Sequence, residues 1–205
     1  MNNFIKLPLI LSALTFLASG IVMFSESATH EKIAEQKKLL LLASLKQLIP
    51  NDLHDNDITQ NTLDVYESTT LGHRKKQVIY IGSIKNIPKV HAIPVTARNG
   101  YSGDIDIMVG IKANGDITSV KILEQHETPG LGDLIEAHKS NWIEQFPNQS
   151  LSRISPNNWK VKRDGGQFDQ ITGATISPRA VVDAIKQALL YHQEHFLKTK
   201  TEKKQ

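Results

Sequence analysis

The sequence predicts an α+β fold, an antiparallel sheet packed by two or three helices and preceded by one apolar N-terminal helix. Three observations carry that reading. Apolar and polar residues alternate at period two through a hairpin centred on Asn114-Gly115. A capped amphipathic helix follows near the carboxyl end, from Ser177 onward. Residues 7–24 (LPLILSALTFLASGIVMF) are eighteen positions without a charge.

As a helix, that uncharged run spans roughly 27 Å, close to the hydrocarbon core of a bilayer. It is longer than a usual cleaved signal and too apolar all round for a core helix at a chain end, so it reads as a retained transmembrane anchor over residues 7–26 behind a short N-terminus, residues 1–6. Lys6 precedes the run and Lys32, Lys37 and Lys38 follow it, so counted charges leave its orientation open. Residues 27–62 read as a stalk and loop. Residues 30–49 have helix-forming composition, with Leu41, Leu42, Leu45, Leu48 and Ile49 on one face, and Pro50 ends the helix.

A domain over residues 63–197 follows. Its strands are read from β-branched runs: LDVYES, QVIYIGSI, VHAIPVTA, and then DIDIMVGIK and DITSVKIL around the Asn-Gly turn. In the hairpin Ile105, Ile107, Val109 and Ile111 form one face, predicted to be buried. A helix is expected around residues 134–146, and a strand pair or a strand and turn around Gly165-Gly166. In the last helix Ser177 is read as the N-cap and Pro178 as the first helical position, ahead of a stripe of Val181, Val182, Ile185, Ala188 and Leu189. Residues 198–205 (KTKTEKKQ) read as a solvated basic tail.

Composition narrows the chemistry. Lys+Arg 24 against Asp+Glu 21 gives a surplus of only +3 with no basic stripe, which argues against nucleic acid as a partner. With Cys 0 there is no disulfide, thiolate zinc site, iron–sulfur cluster or cysteine nucleophile. The eight histidines fall at no familiar ligand spacing, and His192 and His195 read as surface residues near the end of the last helix. Trp142 and Trp159 read as core anchors.

Two small-residue strings carry the functional signal. Thr172, Gly173, Ala174 and Thr175 precede a helix N-terminus, where unpaired N–H groups and a partial positive charge suit a phosphate. Alone, the string is also a tight turn into a capped helix. Glu127, Thr128, Pro129, Gly130, Leu131, Gly132 and Asp133 follow a strand, and their Gly and Pro residues set an irregular loop whose amides can face a ligand. Gly100-Tyr101-Ser102-Gly103 is a third small-residue loop, carrying one aromatic. A threonine-nucleophile hydrolase built on Thr175 would lack a base, since no Ser-His-Asp arrangement accompanies it. Arg179 in the first helical turn opposes the helix dipole, a cost that a nearby phosphodiester would relieve.

GYSGDI, the NGDI turn, HETPGLGD, KSNW…QF, WKVKRDGGQFDQITGATIS and the final AVVDAI, in this order over roughly residues 5–195, resemble the G subunit of the Rnf (Rsx) ion-translocating electron transport complex. Ser102 stands where that family often has glycine. The resemblance implies an FMN-binding domain with the flavin joined by a phosphoester to Thr175. It also implies an amino terminus in the cytoplasm, a bacterial inner-membrane anchor and a periplasmic domain. Its implied partners are the other membrane, iron–sulfur and flavin subunits of the complex, together with a magnesium-dependent flavin transferase that takes FMN from FAD. Glu127, Thr128, Pro129, Gly130, Leu131 and Thr172 are then expected against the ring or ribityl chain. Asp169 either helps the transferase position Thr175 or closes its turn, and Lys162 and Arg163 either offset phosphate charge or line a solvated edge. The subunit would be one relay in an NADH:ferredoxin-type oxidoreductase, not catalytic alone. The C subunit of the sodium-pumping NADH:quinone reductase shares the flavin motif, and a cofactor-free periplasmic assembly module is the reading from a different class.

Overall fold

The computed structural model describes residues 3–197, and the basic tail predicted at 198–205 lies outside them. One helix, α1, runs from Asn3 to Leu48. The chain divides into two compact units between Ala43 and Ser44. In the first unit the described side chains from Pro8 to Met23 are exposed, among them Leu9, Leu14, Phe16 and Ile21. The Ser12 and Thr15 hydroxyls donate back to the carbonyls of Pro8 and Leu11 at 2.7 and 2.8 Å. Among the described residues no helix is long and apolar enough to cross a membrane.

The second unit is built on five antiparallel strands in sequence order, β1 (Thr62–Val65), β2 (Gln77–Ile84), β3 (Ile87–Ala97), β4 (Ile105–Lys112) and β5 (Ile117–Glu124). All five lie where the period-two runs placed them. The β4–β5 turn holds Gly115 at φ +92°, as the Asn-Gly pair demands. The β2–β3 turn is made by Lys85 and Asn86, both at positive φ (+50° and +61°), a hairpin turn without glycine.

The first face of the sheet carries Ile93, Val95, Ile105, Ile107, Val109 and Ile111, which pack in one core with α2 (Ile176–His192) through Val181, Val182, Ile185, Ala188 and Leu189. The alternation in β4 therefore buries the predicted face. Its opposite positions Met108 and Gly110 are buried too, because the sheet is covered on both sides. Leu45, Leu48 and Ile49, the last turn of α1 and the residue after it, are fully buried there. Two glycines admit that turn: a Cβ on Gly82 would stand 2.7 Å from Ile49, and one on Gly110 2.5 Å from the Leu48 carbonyl oxygen. The Thr118 hydroxyl donates to that same carbonyl at 2.5 Å, satisfying a helix C-terminal acceptor from the sheet.

Three expectations are corrected. The strand expected around Gly165-Gly166 is reduced to a single bridge between Val161 and Phe168, because the residues between them close into a 3₁₀ turn, Lys162–Asp164, ended by Gly165 at φ +78°. The helix predicted around 134–146 is replaced by two 3₁₀ turns, Gly132–Ile135 and Trp142–Gln145. Ser140 breaks it: its hydroxyl donates to Leu134 O at 2.6 Å and accepts from Trp142 N at 3.1 Å, taking backbone groups that helix bonds would use. His192 is buried at 1% exposure, not on the surface, with Nε2 3.2 Å from Nδ1 of buried His91. The helical stripe turns this position onto the sheet. Trp142 and Trp159 anchor the core as expected, in a run of rings Trp142–Phe146–Phe168–Trp159 with centroids 5.3, 4.9 and 4.7 Å apart.

Candidate functional site

The aromatic run fixes the segment that leads to the TGAT string. Trp142 Nε1 donates to Asp169 O at 2.6 Å, and Phe168 is buried between Phe146 and Trp159. From there Ile171 O accepts from Ala174 N at 3.1 Å, closing a tight turn with Gly173 at φ +81°. A side chain at that position would be strained and would meet Leu131 at 3.1 Å. Helix α2 begins immediately after it.

The helix starts earlier than the sequence predicts. Thr175, not Ser177, occupies the N-cap position, and its φ of −88° and ψ of −22° are already helical. Its side chain makes no capping hydrogen bond. Ser177 does not cap because its hydroxyl donates instead to Glu127 Oε2, fifty residues away in the chain. Pro178 falls in the first turn, where its missing N–H is tolerated.

Thr175 lines a cavity of about 300 Å³ with Gly173, Ala174, Ile176, Ser177, Tyr101, Glu127, Thr128, Leu131 and Gly132. The two motifs, some forty residues apart in sequence, thus line one space, and Tyr101 of the Gly-Tyr-Ser-Gly loop joins them. Tyr101, Leu131 and Ile176 offer exposed apolar surface around it. The Glu127–Asp133 loop is held by its own acid: Gly130 N donates to Asp133 Oδ1 at 2.7 Å, and Asp133, itself buried, pairs with Lys139 at 3.2 Å. Leu131 N donates to Thr128 O at 3.1 Å, and Gly130 takes φ +76°.

Glu127 is the hub of the site. It is 4% exposed and accepts three hydrogen bonds, from Tyr101 N at 3.3 Å, Ser102 N at 3.0 Å and the Ser177 hydroxyl. Its own amide donates to Gln125 Oε1 at 2.5 Å.

Of the residues predicted from sequence, Glu127, Thr128, Leu131, Gly173, Ala174 and Thr175 come together on the cavity wall. Pro129, Gly130 and Thr172 are exposed neighbours of that lining, outside it. Asp169 and Lys162 form an exposed ion pair with each other, Nζ to Oδ1 2.6 Å, and neither lines the cavity. Arg179 also finds a partner the sequence did not suggest. Asp164 takes its guanidinium in two contacts of 2.5 and 2.6 Å, which offsets its cost against the helix dipole and holds the Asp164 carboxyl below its ordinary value. Gly132 lines the cavity as part of the loop predicted to face a ligand, whereas Tyr101, Ile176 and Ser177 are lining residues that sequence reasoning did not place in the site. The aromatic in a glycine-flanked loop was the available signal for Tyr101; no local pattern marks Ile176 or Ser177.

The cavity suits a flavin phosphate. A hydroxyl free of capping duty, a glycine turn that leaves room beside it and exposed apolar side chains above it fit a phosphate ester with a flat ring. The FMN-binding domain family matches residues 100–190, the stretch that carries these elements. The G subunit of the ion-translocating oxidoreductase complex of Shewanella amazonensis is 40% identical over 190 residues, covering 93% of this chain and 88% of that protein. The protein of that name from Pseudoalteromonas atlantica is 42% identical over 188 residues, covering 92% and 87%. Among solved structures, NqrC of Shewanella oneidensis aligns with TM-score 0.49 at 16% identity over 71% of this chain and 74% of that one.

The stretch that carries the site, residues 100–190, matches the FMN-binding domain family. The chain belongs to the family of G subunits of the ion-translocating oxidoreductase complex.

Proposed function

We propose that this chain is the membrane-anchored flavoprotein subunit of an ion-translocating electron transport complex, carrying FMN through a phosphoester to Thr175. The observation that carries the reading is the placement of Thr175: at the start of α2, without a capping bond, on the wall of a cavity whose other walls come from the Glu127–Thr128–Leu131 loop and Tyr101. When bound, FMN supplies reversible electron transfer at its ring. The chain's own residues hold and enclose it. The α2 start presents N–H groups toward the phosphate; Gly173 keeps the approach clear; Leu131, Ile176 and Tyr101 cover apolar ring surface. A bond through phosphate leaves the ring electronics intact and prevents loss of the cofactor.

Among the described residues no hydrogen bond joins the Thr175 hydroxyl to a base, which supports attachment by a separate flavin transferase. The exposed Lys162–Asp169 pair, whose Asp169 is three residues before Thr172, lies where such an enzyme could grip the segment.

The anchor reading stands on the uncharged residues 7–24, on the exposed apolar side chains of positions 8–23, and on the Ser12 and Thr15 hydroxyls, which fold back onto carbonyls as a helix in lipid requires. On this reading the amino terminus lies in the cytoplasm and the flavin domain in the periplasm, as the resemblance implies. The chain would then be a single-pass relay within an NADH:ferredoxin-type oxidoreductase, and partner subunits would supply the other redox centres.

The test is chemical. Full-length protein made together with a flavin transferase should show an intact-mass increase equal to FMN minus water and in-gel flavin fluorescence after denaturation. Thr175→Ala should lose both while keeping the wild-type circular dichroism spectrum. Fluorescence that survives denaturation in the Thr175→Ala protein rejects the assignment.

A further inference from the structure

We propose that the buried carboxylate of Glu127 holds the reduction potential of the bound flavin low, acting through its charge on the wall of the Thr175 cavity. This inference rests on the flavin reading above and concerns what one residue does within it.

Three donors and two glycines surround the Glu127 carboxyl where it lines the cavity. Tyr101 N, Ser102 N and the Ser177 hydroxyl all point hydrogens at it. Gly132 and Gly100 close over it so tightly that a Cβ would stand 2.8 Å from Oε2 at the first and 2.9 Å from Oε1 at the second. An environment made only of donors selects a carboxylate, because an amide in its place would aim its own N–H groups at some of them. Among the described residues no ion pair joins Glu127 to a cation, in contrast to Asp133, Asp164 and Asp169, each paired with a lysine or arginine. The acid on the cavity wall is thus without a countercharge, at 4% exposure, where water would screen its carboxylate least.

Such a charge acts on one step. Reduction of FMN takes two electrons and one proton to give the reduced flavin anion, or a second proton to give the neutral form, and an electrode or dithionite can supply the electrons in vitro. A fixed negative charge disfavours the product that carries additional negative charge. A unit charge within about a dozen ångströms at an effective dielectric near 20 changes such an equilibrium roughly tenfold. A low potential suits a relay that must hand its electrons onward instead of storing them.

The experiment is a potentiometric titration of the flavin absorbance in full-length, flavin-loaded protein, detergent-solubilised, beside free FMN in the same buffer. Wild type should titrate below free FMN. Glu127→Gln, which removes the charge at nearly constant volume, should titrate above wild type, with the reduction equilibrium shifted roughly tenfold. Ser177→Ala removes one hydrogen bond and keeps the carboxylate, so its potential should stay nearer to wild type than to Glu127→Gln. A role confined to packing would move thermal stability in both variants and the potential in neither. Equal potentials for Glu127→Gln and wild type overturn the proposal. So does a wild-type potential at or above that of free FMN, a measurement that remains decisive if Glu127→Gln does not load. Wild-type protein that carries no flavin overturns the reading beneath it instead, and the two failures are distinguishable by colour alone.

Discussion

Single residues in this protein are set by partners far away in the chain, and the clearest case outside the cavity is His73. It is fully buried, its Nε2 3.0 Å from Pro94 O and its Nδ1 accepting from Glu67 N at 3.3 Å. That pattern requires the neutral ring with hydrogen on Nε2, and burial pushes the histidine below its ordinary value. A base with a lowered value in the folded state loses stability as the unfolded chain picks up the proton. Stability should therefore be full above pH about 6.5 and fall as the pH drops from there toward the lowered value. Urea unfolding at stepped pH should show this slope in wild type and a shallower one in His73→Asn, whose loss is largest at neutral pH. The same long reach limited how far the site could be read from sequence. Thr175 and Glu127 stood out because small-residue motifs surround them. The roles of Ser177 and Arg179 did not, since each answers to an acid elsewhere, Glu127 and Asp164. Local statistics marked Ser177 as a cap, and a contact across fifty residues overrode them.

Elements were legible wherever the pattern was periodic. Five strands and α2 follow from alternation and from a helical stripe, both of which depend only on neighbours in sequence. The 134–146 segment has helical composition yet forms two 3₁₀ turns, because one serine hydroxyl claims the backbone groups between them. The double-sided burial of β4 was also hidden: Met108 and Gly110 sit at positions that alternation assigns to the solvent side, and what covers them is the end of α1. Gly110 is the strand's side of that contact. A Cβ there would overlap the Thr118 hydroxyl and lie 2.5 Å from Leu48 O, the two atoms that bond to each other. Gly110→Ala should consequently destabilise the domain by about 2 kcal/mol, the usual scale for overfilling a packed site, as read by chemical denaturation. An unchanged midpoint would mean that the α1 turn can lift off the sheet at no cost.

At the scale of the whole chain, the division between Ala43 and Ser44 makes a prediction about what each part needs. The second unit contains the entire sheet, α2, the aromatic run and all ten residues that line the cavity. It also keeps Leu45, Leu48 and Ile49, which cover the sheet face at Gly82 and Gly110. A chain beginning at Ser44 should thus fold in the absence of lipid or detergent, whereas the full chain should sediment with membranes and require detergent for release. Where the cut falls should matter more than how much is removed. A chain beginning at Asn51 loses only seven further residues, yet it strips three fully buried aliphatic side chains from the sheet. At about 1.5–3 kcal/mol for each, that costs roughly 5 kcal/mol or more, comparable to the whole stability of an ordinary domain. Circular dichroism melts of the two truncated chains decide the matter. A cooperative transition for the Ser44 chain and none for the Asn51 chain would establish the last turn of α1 as part of the domain's core. Equal melts would make that turn a mere connector, and the burial of its leucines irrelevant to the fold that holds Thr175 in place.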